Sequence, residues 1–276
     1  MKTRLPIFFL FVCASLPIAR DWIIDFNKHK EGTYTSAMAY MDFRREPKKA
    51  NLPNAEIRFD ALLNKNVLRL KYPKGCLGTS KDRGCAAQTH FYMPAPHDTL
   101  WLSYKLLFED GFDFKKGGKL PGFCGGKCYT GGHAPSDGNG WSARIMWREN
   151  GLAEQYVYHS NQKGKYGDSF PWLYKSRQVQ FKTGKWHHIV SKLALNEIRN
   201  GIVFSNGRIE TWLDGQKVLQ KDSITFRKNS SVHISELYFS TFHGGGTDSW
   251  SPNHDSYARF SDFIISTDSI STANHP

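Results

Sequence analysis

The sequence predicts an all-β protein, a two-sheet antiparallel sandwich or jelly roll in a single domain. Three observations carry that expectation. Short runs of alternating apolar and polar residues recur along the chain. Turn residues separate them at regular intervals. No long segment carries apolar residues at the helical period. No internal repeat, low-complexity tract or linker divides the 276 residues. That length suffices for one large domain with a substantial core.

The first 19 residues read as a secretory signal peptide. Lys2 and Arg4 precede an apolar run from Leu5 to Ala14, small residues follow, and the run is too short to span a bilayer. Cleavage is expected between Ser15 and Arg20, which leaves 20–276 as the folded domain, secreted and extracellular. No other stretch is long and apolar enough for a membrane span, so no membrane partner is expected. Asp21 to Phe26 opens the first strand. Val67 to Tyr72 and Thr99 to Phe108 alternate well enough for two more.

Lys115 to Gly132 reads KKGGKLPGFCGGKCYTGG, with eight glycine or proline residues among eighteen and four lysines, Lys115, Lys116, Lys119 and Lys127. This composition predicts a loop. Its cations and bare backbone suit close approach to a bulky anion; the alternative is a long surface loop whose lysines serve solubility.

Trp141 to Arg148 alternates strictly. Trp141, Ala143, Ile145 and Trp147 fall on one face, expected inward, and Ser142, Arg144, Met146 and Arg148 fall on the other. Glu154 to Ser160 alternates too, with Tyr156, Tyr158 and Ser160 on one side. Glu149-Asn150-Gly151 between them reads as a hairpin turn. Register decides what meets what. A two-residue loop would send Arg144 and the tyrosines to opposite faces. A three-residue loop with Gly151 in the left-handed region pairs Arg144 with Tyr156 and Ser142 with Tyr158. The second register is expected, and it gathers Ser142, Arg144, Tyr156 and Tyr158 on one face. The bland alternative makes that face the polar, solvent side of a strand pair.

Lys185 to Leu195 is a further strand. Gly207 to Leu219 holds a hairpin at Asp214-Gly215. Glu236 to Phe242 and Ala258 to Ser266 complete the sheets. Phe242 to Ser251 is a second glycine-rich stretch, either a rim loop with His243 and Trp250 near a ligand or an ordinary connection. Asn229-Ser230-Ser231 is a glycosylation sequon.

Cys13 leaves with the leader. Cys76, Cys85, Cys124 and Cys128 remain, an even set in a secreted chain, and local pairs Cys76–Cys85 and Cys124–Cys128 are expected. A zinc site built from the four is the disfavoured alternative. The formal charge of +12 suits a polyanionic partner. Nucleic acid is not expected, because no zinc-finger, homeodomain or RNP signature accompanies the charge.

At GGKLPGFCGG, the strand S-A-R and the strand Q-Y-V-Y-H, the chain resembles the alginate lyases of polysaccharide lyase family 14, above all the secreted digestive enzymes of marine molluscs. The resemblance runs through nearly all of the mature chain and is strongest from Phe112 to Ser160. A glucuronan lyase family has a similar loop. The resemblance implies functional roles for Lys119, Ser142, Arg144, Tyr156 and Tyr158, and for His133 where a loop histidine is used.

The chemistry those residues suit can be reasoned independently. Cutting a uronate chain by β-elimination requires neutralising a C6 carboxylate, removing the C5 proton and protonating the O4 leaving group. Stabilising the enediolate-like intermediate is the largest demand. Lys119 and Arg144 can supply cationic donors. A tyrosine can act as base if those cations lower its pKa, then return the proton to O4. One of the two tyrosines is the base and acid, with Tyr158 favoured and Tyr156 as its orienting or sugar-binding partner, though the sequence alone does not rank the two; Ser142, His133, Lys116 and Lys127 are assigned as substrate-binding residues. Neither metal nor cofactor is called for. In β-D-mannuronate the C5 hydrogen and O4 share a side, so one tyrosine can serve both, which favours mannuronate-rich chains and, on an open groove, internal cleavage by a monomer. Two rivals are a glycoside hydrolase, for which the paired carboxylates are missing from the expected face, and a non-catalytic lectin for acidic glycans.

Overall fold

The structure, a computed structural model, describes residues 21–43, 48–79, 84–85 and 87–273. The expected leader therefore lies outside the described residues. Two antiparallel sheets stack face to face. The first orders its strands Gln216–Ile224, Gly207–Leu213, Trp186–Ala194, Thr99–Phe108, Ser256–Ser266, Lys65–Tyr72, Ala55–Asp60 and Gly32–Thr33, with Asp21–Ile24 added against Ser256–Ser266. The second orders Asp168–Pro171, Ala153–Tyr158, Gly140–Arg148, Gly117–Gly126, Ile234–His243, Ala87–His97 and Lys48–Asn51. The sandwich expected from the alternating runs is what forms.

Alternation explains the layering. Trp141, Ala143, Ile145 and Trp147 all face the other sheet and are buried. They meet Leu102, Tyr104, Leu106 and Phe108 of the first sheet, with Phe239, Phe260 and Phe263 in the same core. Burying aromatic and aliphatic side chains contributes on the order of 2 kcal/mol each, and this layer dominates what holds the sheets together.

The reading of Lys115 to Gly132 as a loop is overturned. Gly117–Gly126 is an interior strand between Gly140–Arg148 and Ile234–His243. Gly118, Gly122 and Gly125 are there for contact, not for turning. A Cβ on Gly118 would lie 2.1 Å from the Trp147 ring and 2.4 Å from the Phe242 carbonyl oxygen, so the ring can pack inward only over a bare backbone. The loop proper begins at Lys127.

The hairpin takes the expected register. Arg144 pairs with Tyr156 and Ser142 with Tyr158, and Arg148 N–H donates to Leu152 O across the three-residue turn. Asn150 and Gly151 are both left-handed, at φ 58° and 78°. The strand stops at Tyr158, however, and Ser160 turns away to bond Thr225 O. Both disulfides join the expected pairs, Cys76 to Cys85 and Cys124 to Cys128. The four sulfurs are thus spent in separate bridges, and a four-cysteine zinc site does not form.

Phe242 to Ser251 is part strand, part connection. His243 ends the strand, buried, with its ring stacked on Phe112 and Nε2–H donating to Asp113 O at 2.7 Å. Burial lowers its pKa to about 4. It is a neutral structural histidine, which fits the reading of this stretch as an ordinary connection; Trp250 lies in a single turn at Asp248–Trp250.

Candidate active site

The outward face of the second sheet carries the candidate residues. Ser142, Arg144 and Met146 project from one strand, and Tyr156 and Tyr158 stand opposite on the next. Lys119 joins them from the glycine-rich strand, opposite Met146, and Cys124 from the same strand, opposite Ser142. Positions 119 and 124 are an odd number apart and should point to opposite sides. A bulge removes the contradiction: Leu120 pairs with Ile145 but Phe123 pairs with Ala143, so Pro121 and Gly122 together oppose Arg144. Proline has no N–H to give a ladder and belongs at such a place. A Cβ on Gly122 would meet the Ala143 carbonyl at 2.1 Å, so that position also needs its bare backbone.

The face is not a solvated polar surface. Lys119 is 9% exposed, Arg144 3%, Tyr156 8% and Tyr158 1%. Arg148 is neutralised locally, its Nη2 lying 2.7 Å from Glu154. Among the described residues, Lys119 and Arg144 have no carboxylate partner. Lys119 Nζ sits 3.4 Å over the Tyr156 ring and bonds the Met146 sulfur. Arg144 Nη1 reaches Ser240 Oγ at 3.4 Å, its guanidinium lies 4.7 Å over the Tyr238 ring, and its Nε has no partner. Behind Tyr238 stacks His90, ring centroids 4.0 Å apart, and His90 Nδ1 is 2.8 Å from Glu236. This column fixes the guanidinium plane while leaving a donor free.

Burial is the main electrostatic force here. It holds the Lys119 ammonium well below the usual lysine range, with Arg144 and Arg148 adding repulsion and Glu154 opposing. Burial also pushes the Tyr156 phenol up, helped by the charge and hydrogen bond of Tyr158, against the weaker pull of Arg144. The cations do not lower the pKa of Tyr156, which keeps its proton.

The remaining candidates are dispersed. Ser142 is fully buried and its hydroxyl donates to Tyr129 O at 2.7 Å. It faces the loop that follows Cys128. His133 is exposed on the loop that follows Cys128, one residue from Gly132, whose N–H donates to Tyr158 Oη at 3.0 Å. Lys127 is exposed on the same loop and ion-paired to Asp137 at 2.9 Å. Lys116 bonds Ser249 Oγ at 2.9 Å and lines a cavity of about 410 Å³ with Lys115, Asp113, Glu149 and Asn150. Asn229 is exposed, its Oδ1 accepting from Ser231. Sequence reasoning missed Tyr238, His90 and Ser240. Their signal was the alternation of Glu236, Tyr238 and Ser240 on a strand that was recognised but whose neighbour was not.

The family model for polysaccharide lyase 14 matches residues 61–263. The chain belongs to polysaccharide lyase family 14. No curated protein matches this lyase. Among solved structures, it is 26% identical to alginate lyase Aly36B, solved as a variant with a lysine and a tyrosine replaced by alanine and in complex with alginate tetrasaccharide; the match covers 91% of this chain and 98% of that one, with a TM-score of 0.78. The marine alginate lyase from Aplysia kurodai is 24% identical over 90% of this chain and 98% of its own, TM-score 0.72. The alginate lyase vAL-1 from a Chlorella virus is 23% identical over 80% and 92%, TM-score 0.67. The lyase shares its sandwich with all three.

Proposed function

We propose that this lyase cleaves alginate by β-elimination, with mannuronate-rich blocks as its preferred substrate and cuts made inside the chain. One observation carries the reading. Two buried basic side chains, Lys119 and Arg144, lack a carboxylate partner among the described residues, and Arg144 Nε–H is free beside them. A uronate carboxylate is the anion of matching charge and bidentate shape. Its neutralisation acidifies C5–H and stabilises the enediolate-like intermediate. Tyr158 Oη takes the C5 proton. The C4–O4 bond then breaks, its electrons leave with O4, C4=C5 forms, and the phenol returns the proton to O4. Burial and Tyr158 hold the Tyr156 phenol protonated, which supports Tyr158 rather than Tyr156 as the base. The alginate complex of Aly36B supports the choice of polymer.

The same-side placement of C5–H and O4 in mannuronate supports that preference, because one phenol reaches both. The spread of the site across four neighbouring strands supports an extended groove and internal cutting. A secreted monomer suits the leader and the two disulfides. The test is incubation with polymannuronate, polyguluronate and glucuronan, following the ultraviolet absorbance of the new double bond. Absorbance should rise fastest on polymannuronate, with viscosity dropping early. Reducing ends without absorbance would mean hydrolysis, and binding without either would mean a lectin.

A further inference from the structure

We propose that the Gly132 backbone N–H is a catalytic donor to the Tyr158 oxygen, and that Ser142 is the positioning residue that holds it there. The inference rests on the role of Tyr158 proposed above. Gly132 N lies 3.0 Å from Tyr158 Oη, the atom that takes and returns the proton. The donor comes from a loop, and loops drift unless tied. This one is tied three times. The Cys124–Cys128 bridge joins its start to the sheet. Tyr129 Oη donates to Asp137 at 2.6 Å, and Lys127 pairs with the same carboxylate. Between those ties, Ser142 Oγ donates to Tyr129 O at 2.7 Å from beneath, at the strand position directly opposite Tyr158.

A backbone amide suits the task for a physical reason. It stabilises negative charge on the phenolic oxygen without adding a third cation beside Lys119 and Arg144. It cannot take the C5 proton itself, so it does not compete with the transfer. It can stay bonded to the oxygen in both protonation states, because the phenol accepts through a lone pair while donating its own hydrogen to O4. Ser142 cannot serve as a sugar ligand from a fully buried position with its proton already spent on Tyr129.

The test uses the full chain acting on polymannuronate, with Ser142→Ala and Ser142→Thr. Ser142→Ala should fold with a wild-type melting temperature and lose about tenfold or more in kcat, the worth of one charge-assisted hydrogen bond, with KM unchanged. Ser142→Thr, which keeps the hydroxyl, should recover most of the loss. Hydrogen exchange at the Gly132 amide should be slow in the wild type and fast in Ser142→Ala. A raised KM with unchanged kcat would return Ser142 to the sugar and overturn the inference. So would full kcat in Ser142→Ala, a kcat loss that threonine fails to restore, or equal exchange at Gly132. If the wild type releases no unsaturated product from any polyuronate, the base assignment itself fails and takes this inference with it; full wild-type activity beside an unaffected Ser142→Ala removes the inference alone.

Discussion

Lys119 is the residue whose physics is least comfortable in the free protein and most useful in the complex. Its ammonium is buried beside two guanidinium groups. In the unfolded chain it is solvated, with a pKa near about 10.4. Because the folded value is lower, the unfolded chain binds more protons between the two values, and stability rises with pH across that window. Lys119→Met should therefore abolish turnover yet raise the melting temperature at neutral pH by about 2–4 °C, roughly 1 kcal/mol for a domain of this size. The advantage should shrink as pH climbs toward the unfolded value, and calorimetry on both proteins checks it. A sugar carboxylate reverses the local balance by favouring the charged amine. Substrate binding should take up a proton, and affinity should weaken as pH rises through the free-enzyme value. Titration calorimetry on Tyr158→Phe, in buffers of different ionisation heat, measures that uptake. Tyr158→Phe itself should bind oligomannuronate and not cut it. Tyr156→Phe keeps its neighbour's phenol and should retain a measurable fraction of kcat.

At the scale of strands, legibility followed periodicity. Trp141 to Arg148 announced both its inward face and its site face, because period-two alternation survives wherever a strand is regular. The three-residue turn then fixed which side the tyrosines took. Gly117–Gly126 was illegible for two reasons. Its glycines, elsewhere a sign of turns, answer the bulk of Trp147 on the neighbouring strand, which composition alone does not reveal. Its bulge at Pro121 and Gly122 also breaks the phase, so Lys119 and Cys124 share a face against the count. Ala87–His97 went unread because Pro94 and Pro96 argue against a strand; they sit where the pairing shifts between Glu236↔Tyr92 and Ile234↔His97 and need no ladder N–H. The bulge invites a direct check. Gly122→Ala forces a methyl into the Ala143 carbonyl and should cost about 2–3 kcal/mol, with activity falling further than stability because Arg144 shifts with its neighbour. Chemical denaturation alongside steady-state kinetics separates the two losses.

For the molecule as a whole, the strong positive charge is legible in composition, but its use is not. Some described surface lysines and arginines are answered by nearby carboxylates, as with Lys71 and Asp255, Lys185 and Asp214, or Lys217 and Glu210. Lys119 and Arg144 at the candidate site have no such partner among the described residues. Added salt should accordingly raise KM for the polymer steeply while leaving kcat nearly constant, since long-range attraction is screened and the buried cations are not. Rates measured across a sodium chloride series check this. A last consequence belongs to the bridges. Each links cysteines only nine or four residues apart. A boiled chain with its bridges intact therefore keeps the right partners within arm's reach and has no long-distance tangle to sort. Activity should return on cooling in dilute solution, so heat could be used to clear less forgiving proteins from a crude extract.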